Sequence, residues 1–228
     1  MDGSNILKRS ERNLTMINQQ LMGEYDLFFK EVPHYVYGGV VQEERYAEQK
    51  TKLLFLLKEV IDETKNDKWS LVELIDKQIQ EMKFLTIFKR LGELSYGFHH
   101  GFPPYNTGVT QPACIKEGLE NLALINLKKT GGQNVSNMDE IRTHAFANKA
   151  LLLQELEIIA PDLVICGGTF DVICEVLGVP YTHSDSGARV ARYPNMLLVE
   201  FLHPGFYMLS PKILYAYFKE VMTHLPPG

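Results

Sequence analysis

Four kinds of group able to do chemistry, three side chains and one glycine-rich backbone, stand in this chain beside short apolar runs. A carboxylate follows the first run in Lys58-Glu59-Val60-Ile61-Asp62, and a carboxamide ends the second in Asn126-Leu127-Lys128-Lys129. A glycine pair closes the third in Gly167-Gly168-Thr169, and an imidazole follows the fourth in His203-Pro204-Gly205-Phe206-Tyr207. Glu59 can orient or deprotonate water, and His203 can donate a hydrogen bond to an oxygen that gains negative charge. Asn126 carries both a donor and an acceptor, enough to read one edge of a planar base. Gly167-Gly168 leads into a helical pattern, where free backbone N–H groups can meet a phosphate. Each also has a plainer reading: a solvated charge for Glu59, Lys128 and Lys129, a turn for Asn126 and the glycines, a structural role for His203. His99-His100 is a metal-like pair with no third ligand at a recognisable spacing, so surface histidines are the better reading.

These groups act together only if one scaffold aligns the runs beside them. The runs at 52–58, 123–128, 162–166 and 196–202 are continuous rather than alternating, which suits parallel strands buried on both faces. Helical patterns separate them. Ser70-x-x-Glu73 is a capping-box signature ahead of Leu71, Leu74, Ile75, Ile79 and Met82. Ser136-x-x-Asp139 opens a stripe from Ile141 through Ala145, Leu151, Leu152 and Leu156 to Ile159, and Pro161 stops it. Ser210-Pro211 supplies a cap and a first-turn proline before Leu214, Phe218 and Val221. Strand and helix in alternation predict an α/β sheet, with ligands outside the strands' carboxyl ends. The first fifty residues predict an amphipathic helix over 6–27 and a turn at Gly38-Gly39. They read as an N-terminal helical cap (1–50) on a core of 51–228, all in one domain of 1–228. The stretch 97–112, rich in glycine and proline, predicts a long loop of the functional kind.

With 228 residues, 45% hydrophobic and 22% charged, the composition is that of a globular domain and excludes disordered and fibrous classes. No apolar run approaches the ~20 residues that span a bilayer, and residues 1–5 lack a signal core. The expectation is a cytoplasmic protein without a membrane partner. Three scattered cysteines, Cys114, Cys166 and Cys174, form no Cys-x-x-Cys pair, so reduced thiols are expected, with no metal and no cofactor. A net charge of −5 argues against a chain coated in positive charge for nucleic acid. It leaves a local strip of Lys128, Lys129, Arg189 and Arg192 as the edge a phosphate would meet.

Taken in order, the segments 125–132, 151–161 and 162–168, with His203-Pro204-Gly205 about thirty residues on, resemble the uracil-DNA glycosylase superfamily. Leu57-Lys58-Glu59-Val60-Ile61-Asp62 stands where that superfamily has its water-activating motif, and the likeness covers roughly residues 50–225. The resemblance implies a three-layer α/β/α fold around a central four-stranded parallel sheet. It implies hydrolysis of the N-glycosidic bond of a damaged or deaminated base, with DNA containing that base as partner. Glu59 would position the attacking water, Asn126 would hydrogen-bond the flipped base, and His203 would stabilise the departing base. Phe102 and Tyr105 are the candidates for stacking on the base. Lys128, Lys129, Gly167, Gly168, Phe206 and Tyr207 would meet the nucleic acid, with Met208 beside them. The chain departs from the superfamily at Lys58, where the motif has glycine, at Val60 and Ile61, and at Gly205 in place of serine. Two alternatives stand beside this reading: a module of the same fold that binds nucleotide or nucleic acid without efficient catalysis, and a doubly wound enzyme that holds a free nucleotide on Gly167-Gly168.

Overall fold

The computed structural model describes residues 17–32, 34–62, 68–132 and 135–226. In chain order the described helices are α1 (Ile17–Phe28), α2 (Glu43–Ala47), α3 (Leu71–Glu81), α4 (Thr86–His99), α5 (Tyr105–Gly108), α6 (Pro112–Glu120), α7 (Met138–Ala147), α8 (Lys149–Ile159), α9 (Phe170–Leu177) and α10 (Pro211–Thr223). The strands are β1 (Val36–Tyr37), β2 (Gly39–Val40), β3 (Leu53–Leu57), β4 (Trp69–Ser70), β5 (Leu122–Asn126), β6 (Leu163–Gly167), β7 (Thr182–His183), β8 (Arg189–Tyr193) and β9 (Met196–Phe201).

β3, β5 and β6 are buried at every position, as continuous apolar runs require when helices cover both faces of a sheet. Leu53, Phe55 and Leu57 of β3 face one helix layer with Ile75 of α3, Leu91 of α4, Leu119 of α6 and Phe218 of α10. Leu54 and Leu56 face the other, with Leu21 of α1, Leu156 of α8 and Ile173 of α9. The result is a mixed α/β architecture about a mostly parallel sheet. Its four apolar strands lie side by side in the order β5-β3-β6-β9, all parallel.

Among the described residues the sheet has seven strands rather than four. β2 runs antiparallel along β5, so the segment read as a helical cap supplies an edge of the sheet. On the far side β8 and β9 form a hairpin closed at Tyr193↔Met196, and β7 adds to β8. Pro194-Asn195 is the turn signal for that hairpin, which covers the ladder groups that β9 would otherwise leave open.

Local signals fare unevenly. The Ser70 hydroxyl accepts the Glu73 N–H at 3.2 Å and the Ser210 hydroxyl accepts that of Ile213 at 3.3 Å, as the capping patterns predict. The stripe from 141 to 159 is two helices, because the chain turns at Asn148. Asn137, not Ser136, caps the first, accepting from Asp139 and Glu140. The stretch 97–112 is no long loop: α4 runs to His99, α5 occupies its middle and α6 starts at Pro112. The part of the expected N-terminal helix before Ile17 lies outside the described residues. Among those residues no helix is long and apolar enough to cross a membrane.

Candidate functional site

The chain passes from β3 to β5 on one side and then crosses to β6 on the other. This makes the gap between β3 and β6 the sheet's topological switch point. Asn126, Lys58-Glu59, Gly167-Gly168 and His203 stand at the carboxyl ends of the four parallel strands in that spatial order. Asn126 is 3% exposed and pairs in register with Leu57. Beyond that pair the two strands stay zipped, since Leu57, Lys58 and Val60 carbonyls accept from Leu127, Lys128 and Gly132 at 2.8–2.9 Å.

Gly168 has φ +72°, a backbone that L side chains rarely adopt. Its N–H bridges to the carbonyls of Cys166 and Phe201 at 2.8 and 2.9 Å, tying β6 to β9 where both end. The Thr169 hydroxyl donates to the Leu56 carbonyl at 2.8 Å and anchors the start of α9 on β3.

His203 is half-buried against this glycine pair. A Cβ built on Gly167 would lie 3.6 Å from His203 Cα, and one on Gly168 would lie 3.8 Å from His203 Cβ. The Gly205 N–H donates to His203 Nδ1 at 3.0 Å. A ring nitrogen that accepts holds no proton in neutral imidazole, so the hydrogen sits on Nε2. Burial, reinforced by the nearby Lys58 ammonium, lowers the His203 pKa to about 4. The ring is therefore a neutral donor near pH 7. Arg90 of α4 steadies its loop, with Nη1 donating to the carbonyls of Pro204 at 2.6 Å and Phe206 at 3.1 Å.

Glu59 is held differently. Its Oε2 accepts from Lys128 Nζ at 2.7 Å, with both side chains about 95% buried, and Lys128 also reaches the half-exposed Glu140 at 2.7 Å. Burial works against the Lys128 ammonium, but hydrogen bonds to Glu140 and Glu59 outweigh it and raise its pKa. A Cβ on Gly132 would collide with the Glu59 carboxylate, so glycine leaves the room this pair occupies.

The basic strip is corrected by this geometry. Lys129 is fully buried: its ammonium donates to Glu155 of α8, whose other oxygen accepts from the Tyr25 hydroxyl of α1. A lysine inside the core has no access to a DNA phosphate. Lys128 is committed to two carboxylates, and Arg189 is held by Asp171 at 2.5 Å and Glu200 at 2.6 Å while lying over the rings of Phe170 and Tyr181. The expected aromatics are packing residues. Phe102, at φ +59°, sets its ring edge-on to Phe98, Tyr215 and Phe218. Tyr105 lies against Tyr215 and donates to Glu93 at 3.0 Å. Phe206 is half-buried, whereas Tyr207 is 87% and Met208 70% exposed beside the His203 loop. His100 bonds Glu117 at 2.8 Å, and His99 is partly buried with its pKa lowered to about 4, chiefly by burial.

The sequence signals overlooked Arg90, Glu140 and Glu155. Glu155 had a legible cue: it lies within the stripe Leu151, Leu152, Leu156, Ile159, and a carboxylate on a buried face needs a partner. No protein-family model matches the chain, and no curated protein matches it.

Proposed function

We propose that the carboxyl edge of this sheet binds a nucleobase, and that the chain is a divergent uracil-DNA glycosylase-like protein. It would hydrolyse the N-glycosidic bond of a damaged or deaminated base in DNA. The observation that carries the reading is His203, a neutral imidazole with its hydrogen on Nε2, at the switch point beside Gly167-Gly168. When the bond between C1′ and the base nitrogen breaks, its electron pair leaves with the base, and an oxygen of the base gains negative charge. A neutral donor stabilises that oxygen without first giving up a proton. Water then adds to C1′, leaving a hydroxyl on the sugar and returning one proton to the base. In this reading Asn126 would pair with the base edge, and Glu59 would face the electron-poor sugar.

The 2.7 Å contact from Lys128 to Glu59 favours a second reading. A carboxylate so neutralised is a weak base, and a site without a base binds a nucleobase but turns it over poorly. The test uses oligonucleotides carrying uracil, hypoxanthine or xanthine, incubated with the full chain and cleaved with alkali at abasic sites. Excision is expected from the wild type, with a loss of about 100- to 1000-fold in His203→Ala, the usual effect of removing an oxyanion donor. Equal rates in the two proteins would end the assignment of His203. No excision by the wild type, with retained binding of the same oligonucleotides, would select the binding module.

A further inference from the structure

The cations at this end of the sheet are not equivalent. Lys128 has Glu59 and Glu140, Lys129 has Glu155, and Arg189 has Asp171 and Glu200. Lys58 makes no ion pair with a described residue. Its backbone is fixed, because its carbonyl accepts the Lys128 N–H at 2.9 Å as β3 ends. Its side chain is partly buried. It lies across Gly168, where a Cβ would stand 2.9 Å from Lys58 Cε and 3.5 Å from Nζ. The same Cβ would stand 3.8 Å from His203 Cβ, so ammonium and imidazole cover one glycine from two sides.

We infer that Lys58 is the anion-binding residue of this edge, and that its ammonium takes an oxyanion of the bound ligand beside His203. An ammonium on a partly buried residue, with no counter-ion among the described residues, is under-neutralised, and it sits at the gap between β3 and β6 where a ligand is expected. Beside it the neutral imidazole offers an N–H and no charge. The two together suit an oxygen bearing negative charge: a point charge from lysine and a directed hydrogen bond from histidine. Gly168 has room for this only because it has no side chain. The inference rests on the base-binding reading for where the ligand sits. The oxyanion has two sources, a phosphate of the ligand or the oxygen of a departing base.

The experiment compares wild type, Lys58→Met and Lys58→Arg in the full chain, each first checked for an unchanged thermal midpoint. Binding of 2′-deoxyuridine 5′-monophosphate and of 2′-deoxyuridine is measured by calorimetry, and excision from a uracil oligonucleotide is measured in single turnover. Loss of one charge-assisted contact is expected to weaken the affected step about tenfold or more, with partial rescue by arginine. A loss confined to the monophosphate identifies a phosphate. A loss confined to the single-turnover rate identifies the departing base. If the wild type excises nothing yet binds the monophosphate through Lys58, the glycosylase reading falls and the anion site stands. If the folded Lys58→Met protein matches the wild type in every measurement, or if the wild type neither binds nor excises, the inference is overturned.

Discussion

Lys128 and Lys129 are neighbours in the chain, and each holds a glutamate, yet the two pairs sit in different media. Lys129 and Glu155 are both wholly buried, with the Tyr25 hydroxyl closing the second carboxylate oxygen. Burial lowers the Lys129 pKa and raises that of Glu155, and each partner's charge opposes the shift. Lys128 and Glu59 are also about 95% buried, but Lys128 is shared with Glu140, whose side chain is 50% exposed. The inner pair joins three elements that the chain separates widely: α1 through Tyr25, α8 through Glu155, and the end of β5 through Lys129. The outer pair, Lys128 with Glu59, stands at the candidate site. The two ammonium groups turn opposite ways where the chain bends just past the end of β5. One meets helices α1 and α8, the other the open end of the sheet.

The largest expected effect comes from breaking the inner pair. Lys129→Met leaves Glu155 in the core with no cation and should cost about 3–5 kcal/mol of unfolding free energy. Denaturant titration measures it. Lys129→Met combined with Glu155→Leu removes both charges, and should recover most of the loss because an apolar pair of similar volume needs no neutralisation. Additive losses in the double variant would mean that the two side chains do not form one unit.

The contrast also explains what the sequence made legible. The four parallel strands could be read directly, because β3, β5 and β6 bury every side chain and β9 stays mostly apolar, so each carries a near-unbroken apolar signal. Caps at Ser70 and Ser210 could be read because they depend on residues three apart. β8 was missed because its outer residues are polar, with Arg189 and Arg192 flanking a two-residue apolar centre. The fate of Lys129 was missed for a different reason. Charge type says solvent, and only a glutamate 26 residues away, on a helix not yet placed, says otherwise. Asn126, Gly168 and His203 were legible as strand-end residues, whereas the ion pair on Glu59 was not. It depends on how far β3 and β5 stay zipped beyond their last ladder residues.

The two regions should also separate in acid. Burial lowers the pKa of His203 to about 4, and burial with the Lys128 charge lowers that of His144. No histidine touches the inner pair among the described residues. A histidine whose folded pKa lies below its unfolded value near 6.5 binds fewer protons in the folded state. Its contribution is full above about pH 6.5 and is lost as pH falls toward 4. His99, also lowered to about 4, adds to the same window. Asp76 and Glu93, raised by burial, act in the opposite sense. The double variant His99→Gln, His203→Gln cancels that background. Its unfolding free energy should fall less steeply than the wild type's between pH 6.5 and 4, and parallel curves would show that these rings are not held neutral by the fold.

The smallest effect on stability is expected at the outer pair. Lys128→Met strips Glu59 and Glu140 of their shared cation; Glu140 is half-exposed and returns to water, while Glu59 keeps a buried carboxylate. The cost should be about 2 kcal/mol, between the scale of an exposed ion pair and that of a core charge, because one of the two carboxylates is already half in water. A loss as large as that of Lys129→Met would remove the distinction between the two pairs. The sign of the change in function sharpens it further. If the protein hydrolyses a glycosidic bond, Lys128 neutralises the carboxylate that faces the developing positive charge on the sugar. Removing the ammonium leaves that carboxylate unpaired, so Lys128→Met should raise the single-turnover rate while Glu59→Gln lowers it. Should both substitutions lower it together, the ion pair itself is the working unit, and Lys128 belongs to the site as a positioning residue for Glu59.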